Sequence, residues 1–304
     1  EMTTGPLGQG LAHAVGMALA EEILAEKYNK TDQKLIDHYT YVVAGDGDLM
    51  EGVSYEAASL AGSLELDKLI VIYDHNGVSI DGPTEITFID DIKKRFESAN
   101  WQVISPVDGS SFSDLEKAFK KSKSEQKRPS LIIADTVIAK GITAKEGDSS
   151  AHASPLGKEE IVEMKKKAGL PEGEFEVPAE VYQYFNEQIS KRKKDFAEWK
   201  QLESNYELKF EKEYRELRAG IELEVELDFD NLNVETSDTK PLRNYSGEIY
   251  QLLAEKLAYI VGGTADLSAS TRINLDQYAD IKRGNFAGRN IKFGVREHAM
   301  AAAA

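Results

Sequence analysis

The sequence has 304 residues, 41% of them apolar, which is enough for two domains with real cores. It carries 53 acidic against 37 basic residues, a formal net charge of -16, which argues against a nucleic acid or an anionic membrane as partner, because phosphate backbones are held by Lys and Arg. The lack of cysteine excludes disulfides and thiolate metal sites, and no apolar run approaches the roughly 18 residues of a membrane span, so a cytoplasmic protein is expected.

Gly5-Pro6-Leu7-Gly8-Gln9-Gly10 reads as a turn. Leu11, Val15, Leu19 and Ile23 then recur at steps of four, predicting a helix over residues 11–28 in which Gly16 and the alanines admit a close neighbour. The turn serves either tight packing or backbone access to a ligand. Residues 39–44 predict a strand covered on both faces, residues 55–62 a small-faced helix and residues 69–73 a second strand. That order makes a βαβ unit, hence a parallel sheet with ligands beyond the carboxyl ends of its strands, where Asp46 and Asn76 fall. The alternation continues with a helix over 90–97, a strand over 101–104, a helix over 113–121 and a strand over 131–138. A loop over 140–157 contains His152, and loops of this length in α/β domains are often functional.

From Pro178 to about Arg218, Phe196, Trp199, Leu202, Tyr206, Phe210, Tyr214 and Leu217 recur at steps of three or four. They predict one long amphipathic helix whose aromatics serve packing. The acidic stretch 222–238 is the best linker. A second α/β unit follows, with Ser246 capping a helix that runs to 258, a strand over 259–261, a turn at Gly262-Gly263-Thr264-Ala265-Asp266 and a strand over 290–295. Both ends read as cut, the first at a helix start and the last inside an alanine run without a cap.

Gly45-Asp46-Gly47 lacks the third glycine of a dinucleotide fingerprint, and no Gly-Lys-Ser/Thr triplet makes a P-loop. Asp46-x-Asp48 superficially matches a calcium loop but has Glu51 and Ala57 at its sixth and twelfth positions, where Gly and Glu belong. What remains is Asp46 with the amide oxygen of Asn76, a hard-oxygen pair suited to Mg2+ shared with phosphate oxygens. Beside it Gly47 leaves its N–H open at a helix start. A chance Gly-Asp-Gly turn with an unrelated Asn stands at even odds on these residues alone.

Thr4-Gly-Pro-Leu-Gly-Gln-Gly10, Gly45-Asp-Gly-x-x-x-Glu-Gly52 with Asn76, His152-x-x-Pro-Leu-Gly157, Gly262-Gly-x-Ala-Asp-Leu267 and Gly294-Val-Arg-Glu297, in this order, resemble the transketolase family of thiamine-diphosphate enzymes. The resemblance implies a parallel-sheet α/β fold. It divides the chain into a diphosphate-binding domain over 1–190 lacking its N-terminal part, a helical linker over 191–240 and the truncated start of a pyrimidine-binding domain over 241–304. It implies that Asp46, Asn76 and the carbonyl of Val78 hold a Mg2+ or Ca2+ ion on thiamine diphosphate, with Gly47 contributing backbone. Gly5, Leu7 and Ile80 would lie against the cofactor's rings, and Asp266 would approach the thiazolium from the second domain. His152 would reach the diphosphate and the substrate, while Arg243 and Ser270 would clamp the sugar phosphate. On sequence alone, a satisfied loop histidine and a solvated arginine are the plainer readings of His152 and Arg243.

Glu297, the implied catalytic carboxyl, would be buried against the pyrimidine N1′, its pKa raised, favouring the imino tautomer that removes the C2 proton. Glu51 and Glu56 would join an acidic network between the two active sites of a homodimer, or else serve as helix N-terminal charges. Thr264 for serine and Ala153 for glycine are the departures from the family pattern. The implied activity is two-carbon ketol transfer between sugar phosphates, with the segment alone inactive. The alternatives are a dihydroxyacetone synthase or deoxyxylulose-phosphate synthase type of enzyme, or a non-catalytic cofactor-binding homologue, against which an intact Glu297 argues.

Overall fold

The computed structural model describes residues 2–152, 155–222 and 239–304. The chain opens with α1 (Gln9–Tyr28), β1 (Thr40–Gly45), α2 (Asp46–Met50), α3 (Gly52–Leu64) and β2 (Leu69–His75). A short antiparallel pair, β3 (Val78–Ser79) and β4 (Gly82–Pro83), follows β2. Then come α4 (Ile92–Ser98), β5 (Gln102–Asp108), α5 (Phe112–Ser124) and β6 (Ser130–Asp135). The predicted alternation is borne out as a four-stranded sheet in the order β1-β2-β6-β5, every pair parallel.

The period of two along β2 divides the core. Leu69, Val71 and Tyr73 face a layer built from α1 and α3, whereas Ile70 and Ile72 pack with Ile104, Val107 and Ala118 beneath α5. Trp101 is buried against Phe96, with ring centroids 5.0 Å apart, and its indole N–H donates to the Ala58 carbonyl at 2.8 Å, so the entry to β5 is pinned to α3.

After β6 come α6 (Lys158–Lys167), α7 (Ala179–Lys209) and α8 (Glu211–Glu222). The single helix expected over 178–218 is two. It breaks at Phe210, whose backbone leaves the helical region at φ -132 and ψ 51. The break turns α8 back so that Leu217 and Tyr214 join Tyr206, Tyr28 and Leu35 in a separate apolar cluster at the carboxyl end of α1. Tyr206 and Leu217 are buried there as expected, but Phe196 remains 62% exposed. The linker stretch 223–238 lies outside the described residues, and α7 runs through residue 190 without interruption.

The last part comprises α9 (Leu242–Lys256), β7 (Gly262–Thr264), α10 (Ser268–Thr271), β8 (Asp280–Ile281), β9 (Asn290–Lys292) and α11 (Glu297–Ala303). Its three strands form a second parallel sheet in the order β7-β9-β8. Two expectations are corrected here. The α9 helix starts at Leu242 behind Pro241, whose fixed φ suits a helix entry, so Ser246 lies inside it and is not its cap. The strand lies over Gly262–Thr264, not 259–261. A Cβ on Gly263 would stand 1.8 Å from the Ile291 carbonyl, so the glycines that read as a turn are what let β7 approach β9.

Candidate functional site

Asp46 directly follows β1 and Asn76 directly follows β2, so both polar groups sit at the carboxyl edge of the parallel sheet. Asp46 is 4% exposed. Its Oδ1 accepts a 2.7 Å hydrogen bond from the Tyr73 hydroxyl, and its Oδ2 accepts from the backbone N–H groups of Asn76 and Gly77, each at 3.3 Å. Asn76 Oδ1 in turn accepts the Val78 N–H at 3.1 Å. The three residues expected to hold a cation are therefore linked by hydrogen bonds, Asp46 to Asn76 and Asn76 to Val78. Burial, then the Asp46 carboxylate, push the Tyr73 phenol well above the usual range, so Tyr73 is a permanent donor here.

The glycine turn reaches the same place through Asp48. Its Oδ1 accepts from Gly8 N–H at 3.0 Å and its Oδ2 from Gly45 N–H at 2.9 Å, tying the entry to α1 to the end of β1. Leu7 Cδ1 then lies against the open face of Gly47. Gly5 is exposed, as are Leu7 (48%) and Ile80 (69%).

Asp48 and Tyr73 were not legible as site residues. The first belongs to a failed calcium loop and the second closes a predicted strand. Two signals point to them: Asp48 stands three residues after a glycine at a helix start, and Tyr73 lies on the strand face that packs with α1 and α3.

Five other expected residues are exposed. His152 is exposed after a short 3-10 turn (Ser149–Ala151), and residues 153–154 of its motif lie outside the described residues. Arg243 is exposed in the first turn of α9, Ser270 is exposed on α10, and Asp266 is exposed between β7 and α10 with a left-handed φ of 63°. Glu297, the first residue of α11, is exposed, so the burial expected for it is not provided by this chain's own packing. Among the described residues no hydrogen bond or ion pair joins these groups to Asp46.

Glu51 is exposed at the start of α3. Glu56 accepts the Ala299 N–H at 2.9 Å and so satisfies a free donor in the first turn of α11, two residues from Glu297. Arg296 reinforces that junction by donating to Ser59 Oγ at 2.9 Å and to the Phe293 carbonyl at 2.7 Å. Glu56 thus serves the start of α11 and not that of its own helix.

Among the described residues no three His, Cys, Asp or Glu side chains approach closely enough to form a metal site by themselves. One buried carboxylate with amide and carbonyl oxygens fits a hard divalent cation that completes its shell on phosphate oxygens, and does not fit a self-sufficient metal cage.

Residues 1–225 match the family described as transketolase, thiamine diphosphate binding domain, and residues 238–304 the transketolase pyrimidine binding domain. The chain is 43% identical to transketolase of Bacillus subtilis over 311 residues, covering 100% of the chain and 46% of the relative, and 42% identical to that of Aquifex aeolicus, covering 99% and 43%. It superposes on transketolase from Leishmania mexicana with a TM-score of 0.96 at 37% identity, covering 99% of the chain and 46% of that structure. A Pichia stipitis transketolase complexed with sedoheptulose 7-phosphate matches with a TM-score of 0.94, also at 37% identity and with the same coverage. The chain spans about half the length of these relatives. On the matched domains, the identity and the shared fold, the chain belongs to the transketolase family.

Proposed function

We propose that the full-length protein catalyses reversible transfer of a two-carbon ketol unit from a ketose phosphate to an aldose phosphate, using thiamine diphosphate and Mg2+ or Ca2+. The observation that carries this reading is the buried Asp46 carboxylate at the end of β1, tied through backbone to Asn76 at the end of β2. Asp46, the Asn76 side-chain oxygen and the Val78 carbonyl would hold the cation, with Gly47 supplying an N–H. When bound, thiamine diphosphate supplies the electron sink that lets a ketose carbon–carbon bond break. Gly5, Leu7, Ile80 and Asp266 orient the rings of the cofactor, and His152 serves its diphosphate and the substrate. Arg243 and Ser270 hold the sugar phosphate. Glu297 holds a proton at the pyrimidine N1′, and Glu51 and Glu56 extend the acidic side of the site.

We read residues 1–190 as the diphosphate-binding domain, 191–240 as a helical linker and 241–304 as the opening of the pyrimidine-binding domain. The exposure of Glu297, Asp266, Arg243 and Ser270, none of them hydrogen-bonded to Asp46 among the described residues, supports a homodimer in which these residues complete a site on the second copy. A chain without cysteine and without, among its described residues, a helix able to cross a membrane is consistent with a cytoplasmic enzyme.

The test is an assay of the full-length protein with xylulose 5-phosphate, ribose 5-phosphate, Mg2+ and cofactor. Sedoheptulose 7-phosphate is the expected product, and its absence would overturn the reading. Asp46→Ala should abolish cofactor retention, measured by calorimetry, and unchanged affinity would remove Asp46 from the site.

A further inference from the structure

We propose that Tyr73 is a positioning residue for the divalent cation, acting through Asp46. The inference rests on the reading of Asp46 as a cation ligand, and it concerns a hydroxyl that none of the sequence motifs contains.

The two oxygens of Asp46 are held unequally. Oδ1 takes a buried, charge-assisted O–H bond at 2.7 Å, whereas Oδ2 has two backbone donors at 3.3 Å, beyond the usual range of a strong N–H···O bond. Oδ1 is thus committed to Tyr73, and Oδ2 is the oxygen whose donors are weak enough to yield to a cation. A carboxylate rotates about its Cβ–Cγ bond unless one oxygen is anchored, and here the anchor comes from the neighbouring strand, not from the turn that carries the other ligands.

Tyr73 is itself immobilised. It is 3% exposed in the middle of the sheet, in register between Ala44 on β1 and Ile133 on β6. Its ring lies 5.1 Å from the His75 ring, whose Nδ1 is 2.8 Å from Asp135 Oδ1. The phenol is therefore delivered from a rigid element to a ligand at the strand edge, as groups behind metal-ligating carboxylates commonly are; loss of such a group typically weakens metal binding by about 10–100-fold.

The experiment is Mg2+ titration of the full-length protein at saturating thiamine diphosphate, followed by calorimetry, for the wild type, Tyr73→Phe and Asp46→Ala. Tyr73→Phe should raise the Mg2+ Kd by about tenfold, and the lost bond to a buried carboxylate should also lower the thermal midpoint without Mg2+ and cofactor. A lowered midpoint with an unchanged Kd would overturn the proposal and leave Tyr73 a packing residue. Should Tyr73→Phe not fold, 4-fluorophenylalanine at position 73 keeps the ring and puts a group of similar size that cannot donate in place of the hydroxyl, and an unchanged Mg2+ Kd there would overturn the proposal equally. The two readings fail differently. If Asp46→Ala leaves Mg2+ affinity intact, the cation site itself is wrong; if Asp46→Ala abolishes binding and Tyr73→Phe does nothing, only the role of Tyr73 is.

Discussion

At the residue scale, Asp48 shows how one carboxylate can fix two loops. With Gly8 N–H on one oxygen and Gly45 N–H on the other, it links the glycine turn before α1 to the end of β1. Removing it leaves two half-buried donors without their partner, at about 1–3 kcal/mol. We expect Asp48→Ala to lower stability in urea unfolding by that amount and to weaken cofactor binding, because Leu7 is no longer held against Gly47; a drop in stability without a change in calorimetric affinity would separate the turn from the site. Asp46 and Asn76 were legible in the sequence because glycines and strand ends mark them. Asp48 and Tyr73 were not, because their importance lies in which atoms they meet 40 and 27 positions away. Glu56 was legible as a helix-terminal charge but not as the acceptor for α11, a contact made across 243 positions.

At the element scale, the contact of α1 with α11 sets where Glu297 stands. Gly16 on α1 meets the Ala303 carbonyl so closely that an added Cβ would lie 2.1 Å from it. That oxygen belongs to backbone and cannot swing aside, so Gly16→Ala forces the helices apart at about 1–3 kcal/mol. The expected result is a lower thermal midpoint together with lower activity in the full-length protein, since α11 carries Glu297 in its first turn; an unchanged midpoint would show that α11 is free to reseat. The sequence announced a close neighbour for Gly16 but not which one. It announced every strand of the first sheet because apolar runs between helices are strong signals. It misplaced β7, since a Gly-Gly-Thr strand has almost no side chain to reveal it, and it ran α7 and α8 together because the apolar period continues through Phe210.

At the scale of the whole molecule, a net charge of -16 means that some carboxylates must share a neighbourhood. Opposite the Asp46 edge, at the amino ends of the strands, Glu21 is buried and paired with Lys68 at 2.7 Å, and Lys68 also meets Asp37 at 2.8 Å. Glu22 shares this neighbourhood without an ion pair of its own among the described residues. Burial first, then repulsion from Glu21 and Asp67, raise its pKa from 4.5 to about 7, with Glu26 adding to the rise and Lys68 opposing it. Asp67 is raised by burial in the same direction. A carboxyl that binds its proton more tightly when folded stabilises the fold fully below its unfolded pKa, and that contribution is lost as pH climbs through the folded one. For Glu22 the window runs from about 4.5 to about 7. Because the group is only half-buried, solvent screening reduces the effect to the order of 1 kcal/mol. Glu22→Gln should therefore match the wild type in thermal midpoint near pH 4 and exceed it at pH 8, since the amide carries no charge to repel Glu21 and Asp67. Parallel midpoint curves for the two proteins from pH 4 to 8 would show that Glu22 titrates alike in the folded and unfolded chain.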